Sequence, residues 1–172
     1  MNLKFALIAP LSIALAAPAV AASAPTDPQI AHIAYTAGVI DIAAGKQALA
    51  KSHNKAVRGF AEEMVRDHKA VNDKAHALVK KLKVTPQDNP TSQALNKGAK
   101  AELAKLAKLN GAAFDRAYVD NEVAYHKTVD GALETQLIPS ASNAELKSLL
   151  QTGLKIFQGH QQHPEHVAAD VK

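Results

Sequence analysis

Four side chains have the chemistry of metal ligands and occupy places where a helical pattern would put apolar residues: His68, Glu122, His126 and His160. Imidazole nitrogens and carboxylate oxygens each offer a lone pair, and such groups can hold Zn, Cu or Fe when they converge inside a helical bundle. Glu122 and His126 are four residues apart and therefore share a helix face. Asp41 and Asp115, on or beside similar stripes, complete the predicted ligand set.

The same residues also fit a plainer interpretation, a hydrogen-bonded polar layer in the core. His68 and His126 could bond to Glu122, to Asp115 or to a tyrosine hydroxyl, so that each buried polar atom finds a partner. This is the more ordinary role of an interior histidine. The sequence leaves both interpretations open.

A second histidine group stands near the C-terminus. His163 and His166, with Glu165, continue the spacing of three that begins at His160. On a helix this spacing could bind a transition metal. The alternative is a solvated tail around Pro164, because a proline inside a helix removes a backbone hydrogen bond.

Several classes of reaction lack their motifs. Di-iron carboxylate bundles carry Glu-x-x-His motifs, and no Glu in this chain is followed three residues later by His. We therefore do not expect an iron-oxidising or oxygen-activating centre. Without a Ser-His-Asp order, a Gly-rich phosphate loop or any Cys, the chain is not expected to be an enzyme of those classes, and we assign no catalytic residue.

The candidate ligands belong to four amphipathic helices. The first opens at Thr26-Asp27-Pro28, with Asp27 as the expected cap, and ends near Lys51. The second carries an apolar stripe in steps of four and three, with the members Val57, Ala61, Met64, His68, Val71, Ala75, Leu78 and Leu82. His68 is thus predicted to face neighbouring helices.

The second half of the chain supplies two more helices. The third runs from about Ala112 to Leu137, where Pro139 is expected to close it, and it carries Asp115, Glu122 and His126 on one stripe. The fourth opens at 142–145, a Ser-Asn-Ala-Glu sequence that fits a capping box. Its stripe includes His160.

A long connection separates the two helix pairs. It contains a loop at 85–90 and a Lys-rich amphipathic stretch, 91–109, that predicts a short helix. Two tight pairs joined by one long crossover form the chain plan of ferritin-like bundles. We therefore predict an all-α, ferritin-like four-helix bundle over residues 27–168, with the candidate ligands near mid-height.

The N-terminus predicts export. Lys4 is followed by an apolar stretch, Phe5 to Ala17, and then by small residues, the pattern of a secretory signal peptide. We expect residues 1–22 to be cleaved, leaving a periplasmic protein. The apolar stretch is shorter than the ~20 residues that span a bilayer, and no later stretch is long and apolar enough to do so.

The charge balance is mild. A formal charge of +4 is too small to indicate nucleic acid as a partner. Lysines at 97, 100, 105 and 108 would suit contact with an anionic envelope surface. A solvated helix face explains them equally well.

Three sequence blocks carry a family resemblance. They are 60–68 (FAEEMVRDH), 114–118 (FDRAY) and 123–126 (VAYH), followed by a late-helix histidine such as His160. The chain resembles, from about Pro28 to Val167, the bacterial exported family called domain of unknown function 4142, whose fold is ferritin-like. The resemblance implies a structural or ligand set of Met64, Val65, Asp67, His68, Phe114, Asp115, Tyr118 and His126. The family usually has Glu at the position of Asp41.

Two functions follow from these observations. The first is an exported ferritin-like protein that binds a metal ion through an interior belt of histidines and carboxylates. The alternative is a structural or stress-related protein of the envelope that binds no metal and whose interior histidines only satisfy hydrogen bonds. The family resemblance supplies a fold and no reaction.

Overall fold

The computed structural model describes the backbone of residues 24–170 and the side chains of residues 24–160. The expected signal segment, 1–22, lies outside the described residues. Within them all the regular secondary structure is helical, as predicted. The elements are α1 (Asp27–Lys51), α2 (Lys55–Leu82), α3 (Pro90–Ala107), α4 (Gly111–Ala132), a π-helical turn (Leu133–Leu137), α5 (Ile138–Ser140) and α6 (Ala144–Asp170).

Four of these helices enclose the core. α1 packs against α2, α6 packs against both α2 and α4, and α4 also contacts α1. The fifth long helix, α3, packs against α1. Its Leu95 lies at one end of the bundle and its Leu106 at the other, so α3 carries the chain along the bundle. This crossover makes α2 and α4 parallel, as predicted for a ferritin-like bundle.

The apolar interior is divided into two clusters. One cluster joins the end of α1 to the beginnings of α2 and α4, around Phe60, Phe114 and Tyr118. The other joins the beginnings of α1 and α6 to the π-helical turn, around Ile30 and Leu146. The helix segments between these clusters carry buried polar residues, among them Asp41, His68, Glu122, His126 and His160. The stripes therefore position a polar layer near mid-height.

The beginnings of α1 and α6 are tied together through Asp27. Thr26, not Asp27, is the N-cap of α1, because Asp27 is already the first helical residue. Its carboxylate instead accepts hydrogen bonds from the backbone N–H groups of Ser142 and Asn143, at 2.8 and 2.9 Å. The side chain of Asn143 caps α6 by accepting from the N–H groups of Glu145 and Leu146. The cap is therefore Asn143 and not Ser142, and the predicted capping box does not form, because Leu146 then stands at the third helical position.

Pro139 does not close the third bundle helix. The chain widens into the π-helical turn, where the N–H of Ile138 donates to the carbonyl of Leu133, and it continues helically to Ser140. A proline has no N–H and its ring crowds the carbonyl four residues earlier. The wider turn accommodates that carbonyl. α6 likewise continues through Pro164 to Asp170, so Pro164 does not end it.

Between residues 24 and 170, every helix is too short or too polar to cross a bilayer.

Candidate metal centre

Three imidazoles meet in the middle of the bundle, one from each of three helices. His68 of α2, His126 of α4 and His160 of α6 are each 1–3% exposed. Their ring centroids are 5.4 Å apart in all three pairs. One ring nitrogen of each lies within 4.8 Å of the other two, and the Nε2 atoms of His68 and His126 are 3.3 Å apart. We call this group the trihistidine cluster.

The other nitrogen of each ring faces an oxygen. Nδ1 of His126 is 3.0 Å from the backbone carbonyl of Glu122. Nε2 of His160 is 3.1 Å from Oδ2 of Asp67, and Nδ1 of His68 is 3.4 Å from Oδ2 of Asp41. The carbonyl of Glu122 and the carboxylate of Asp67 hold the rings of His126 and His160 in place and favour the tautomers that leave their opposite nitrogens unprotonated. Nδ1 of His160 is such a nitrogen, buried without a hydrogen-bond partner among the described residues.

Burial keeps the three rings neutral. Loss of hydration lowers the pKa of His68 to about 2 and that of His126 to about 4, and it also lowers the pKa of His160. Asp67, in contrast, is ionised, because its hydrogen bond with Arg66 lowers the pKa of its carboxyl group. At neutral pH the cluster therefore presents uncharged imidazoles beside an ionised carboxylate.

Two buried carboxyl groups adjoin the cluster. Asp41 and Glu122 form a second group with His126, in which the ligand atoms again lie within 4.8 Å of one another. Burial, followed by repulsion from Glu122, raises the pKa of Asp41 well above its ordinary value. Burial also raises the pKa of Glu122 to about 8. Burial therefore favours the protonated forms of both acids, as expected of neighbouring carboxyl groups away from water.

Phe157 closes one side of the trihistidine cluster. Its ring stacks on that of His68, with centroids 4.3 Å apart and an interplanar angle of 6°. Phe157 also lines an uncharged cavity of about 910 Å³ between α1, α2, α3, α4 and α6. The imidazoles thus have an apolar wall on this side, which strengthens electrostatic interactions by lowering the local dielectric.

The structure places five of the six predicted ligands together. His68, His126 and His160 form the trihistidine cluster, and Asp41 and Glu122 adjoin it through His126. Asp115 belongs to neither group. It is buried but precedes Glu122 by two helical turns, about 10 Å along α4, and it lies beside Phe114 in the apolar cluster. We therefore do not retain Asp115 as a ligand.

Two contributors, Phe157 and Asp130, were missed from the sequence, and a third, Asp67, was implied only by the family resemblance. Asp67 holds His160, Phe157 stacks on His68, and Asp130 is 4% exposed on α4, where burial raises its pKa to about 6. Asp130 follows His126 by one helical turn, so the spacing could have identified it. Nothing in the spacing of α6 distinguishes Phe157 from an ordinary core residue. The side chains of His163 and His166 lie outside the described residues.

The spacing of the imidazole nitrogens suits coordination of a metal ion. A tetrahedral zinc ion lies about 2.05 Å from each imidazole nitrogen, which places two such nitrogens about 3.3 Å apart. The Nε2 atoms of His68 and His126 have this separation, 3.3 Å. Nδ1 of His160, which has no hydrogen-bond partner within residues 24–160, offers a third lone pair. The donor set therefore fits an ion such as Zn²⁺ or Cu²⁺, for which imidazole is a preferred ligand.

These features define the class of protein: an all-α, ferritin-like bundle with a buried layer of histidines and carboxylates. The chain belongs to the family described as "Domain of unknown function (DUF4142)", whose model matches residues 13–167. The family membership predicted from the sequence is thus confirmed.

A solved structure shares this fold. The chain is similar to the structure titled "Crystal structure of DUF305 fragment from Deinococcus radiodurans", with a TM-score of 0.71 and 14% identity. The match covers 86% of this chain and 99% of that chain, and at this identity it establishes the shared fold. No curated protein matches this sequence.

Proposed function

We propose that this protein is a metal-binding helical bundle that holds one divalent transition metal ion through His68, His126 and His160. The observation that carries the proposal is the convergence of three buried imidazoles, each with its other nitrogen against an oxygen. Carboxylates and carbonyls behind the ligating rings are the usual surroundings of histidine metal sites. Three neutral imidazoles favour Cu²⁺ and Zn²⁺ over Fe²⁺ in the general order of affinities.

The direct test is a calorimetric titration of the purified, EDTA-stripped protein with ZnCl₂ and CuSO₄. We expect one ion per chain in wild type and loss of this binding in His126→Ala. His76→Ala is the matched control, because His76 is an exposed histidine on α2 and its removal leaves the cluster intact. Circular dichroism at 222 nm checks that each variant is folded.

The C-terminal histidines require their own control. A double variant, His163→Ala with His166→Ala, removes them while His160 remains. We expect the double variant to retain the ion. The proposal is overturned if wild type takes up neither metal at micromolar concentrations, or if His126→Ala and His76→Ala bind equally well.

We also propose that the bundle acts in the periplasm. The support is the sequence of residues 1–22, with Lys4, an apolar stretch and a small-residue cleavage site. Fractionation of expressing cells, followed by mass spectrometry, should find a periplasmic protein whose N-terminus lies just after Ala21 or Ala22. A full-length protein retained in the cytoplasm would contradict this proposal.

A further inference from the structure

A third group of metal-ligand side chains lies between the trihistidine cluster and the surface. Glu63 and Asp67 are one helical turn apart on α2, and with His160 they place one ligand atom each within 4.8 Å of the others. The side chains of Glu63 and Asp67 are 28% and 22% exposed, whereas that of His160 is 3% exposed. We call these three residues the outer group. It is the water-facing neighbour of the buried cluster.

His160 belongs to both groups. Its Nε2 is 3.1 Å from Oδ2 of Asp67, while its ring centroid is 5.4 Å from those of His68 and His126. Nδ1 of the same ring is buried and has no hydrogen-bond partner in the described part of the chain. The partly buried carboxylates of the outer group therefore adjoin the interior imidazoles. His160 connects the two groups because it belongs to both.

The guanidinium of Arg66 already contacts these carboxylates. The guanidinium of Arg66 contacts Asp67 through Nε at 2.7 Å and through a terminal nitrogen at 3.1 Å, and it lies 3.8 Å from Glu63. The Arg66 side chain is 70% exposed. Water screens the ion pairs of so exposed a guanidinium, so they contribute little to stability. The guanidinium can therefore be displaced easily by a divalent ion.

We propose that Glu63, Asp67 and His160 form an outer acceptor site through which a divalent transition metal ion reaches the trihistidine cluster, and that Arg66 competes with the arriving ion. This inference rests on the proposed function. The carboxylates attract the hydrated ion, His160 supplies the first imidazole, and His68 and His126 complete the final set. Arg66 governs the rate of loading, whereas the interior imidazoles govern the affinity.

The test measures the rate and the affinity separately. EDTA-stripped protein is mixed with Cu²⁺ in a stopped-flow instrument, and binding is followed by quenching of tyrosine fluorescence, since the chain has three Tyr and no Trp. We expect Arg66→Gln to load several-fold faster than wild type and Glu63→Gln several-fold slower. The equilibrium affinity of both variants, measured by competition with a chelator, should stay within about twofold of wild type, because neither residue belongs to the final ligand set.

Two neighbouring charges provide matched controls. Lys69→Gln removes a cation one turn from Arg66 that pairs with Asp73, and Glu62→Gln removes an exposed anion next to Glu63. Both should load at rates close to wild type, which separates the local effect from general electrostatic steering. If Arg66→Gln matches Lys69→Gln and Glu63→Gln matches Glu62→Gln while the affinity is intact, the loading route is wrong and the trihistidine site stands. If wild type binds no metal, both proposals fail.

Discussion

The Nε2 atoms of His68 and His126 lie 3.3 Å apart, a separation that suits both a hydrogen bond and two ligands of one ion. In the hydrogen-bonded state Nδ1–H of His126 donates to the carbonyl of Glu122, so His68 must donate from its Nε2. Nδ1 of His68 is then an acceptor, and the protonated carboxyl of Asp41 faces it. An ion at Nε2 of His68 would displace the proton from that nitrogen and leave Nδ1 to carry the proton of the ring, so the carboxyl group of Asp41 would have to lose its own proton and accept a hydrogen bond from Nδ1. We infer that metal binding would release this one proton.

His68→Ala should destabilise the metal-free protein. The change removes the ring that stacks on Phe157 and leaves buried groups on α1 and α4 without their neighbour. Stranding a buried polar partner costs about 1 to 3 kcal/mol. Urea unfolding in the presence of EDTA measures the loss, and His76→Ala should change the unfolding free energy by less than about 0.5 kcal/mol. Equal stability of the two variants would mean that the cluster contributes nothing to the fold.

Zinc should stabilise the wild-type protein against heat. An ion that binds only the folded state adds about 2.7 kcal/mol when its concentration is a hundred times Kd, which raises Tm by about 5 to 10 °C for a domain of this size. Excess EDTA should reverse the shift. Differential scanning calorimetry of His126→Ala should show no shift at the same zinc concentration. A shift of equal size in that variant would place the ion elsewhere.

The sequence predicted the scaffold well because each helix carries its own periodic stripe. Val57 to Leu82 defines the inward face of α2 without reference to any other part of the chain, and the long connection alone predicts the crossover. The site was harder to predict. Asp67 lies beside the stripe of α2 and becomes relevant only because α6 places His160 against it, whereas Asp115 lies on the correct stripe at the wrong height. Periodicity identifies a face, but the heights of side chains across a bundle depend on how the helices pack.

Asp67→Asn should weaken metal binding without unfolding the protein. The carboxylate of Asp67 is ionised and lies 3.1 Å from Nε2 of His160, so it raises the basicity of the opposite nitrogen. Changes to such supporting groups cost about 10- to 100-fold in metal affinity. Competition titration with a chelator measures this loss. Asp73→Asn is the control, because Asp73 is an exposed acid on the same helix that pairs with Lys69, and its removal should leave the affinity unchanged.

Two glycines should respond oppositely to alanine. A Cβ at Gly45 would lie 2.8 Å from Cγ2 of Val65 and 3.1 Å from the backbone carbonyl of Ala61, so α1 and α2 would have to separate. We expect Gly45→Ala to cost about 1 to 3 kcal/mol. Gly59, on α2, has open space around its Cβ position, and Gly59→Ala should add about 0.5 to 1 kcal/mol by restricting the unfolded chain. Urea unfolding compares them, and a loss of stability in Gly59→Ala would contradict the explanation.

Glu122→Gln should change how the stability of the metal-free protein depends on pH. The folded protein raises the pKa of Glu122 from its ordinary 4.5 to about 8, so between these values it keeps a proton that the unfolded chain releases. Stability falls with rising pH wherever the folded state binds more protons, by at most about 1.4 kcal/mol per pH unit for one group. Glutamine cannot ionise, so the variant does not lose this stability as the pH rises. Relative to wild type, Glu122→Gln should therefore gain stability from pH 5 to pH 8 and change little above.

The buried histidines change the stability in the opposite direction, and they do so below about pH 6.5. Because burial lowers the pKa of His68 and His126, the unfolded chain takes up their protons below about pH 6.5, and wild type loses stability as the pH falls further. This loss is common to wild type and Glu122→Gln, so it cancels in their difference. Urea unfolding with EDTA at pH 5, 6, 7 and 8.5 gives that difference directly. Glu62→Gln, an exposed change on α2, is the control, and its unfolding free energy should differ from that of wild type by the same amount at every pH. If the difference for Glu122→Gln is also independent of pH, Glu122 is ionised inside the bundle and the explanation is wrong.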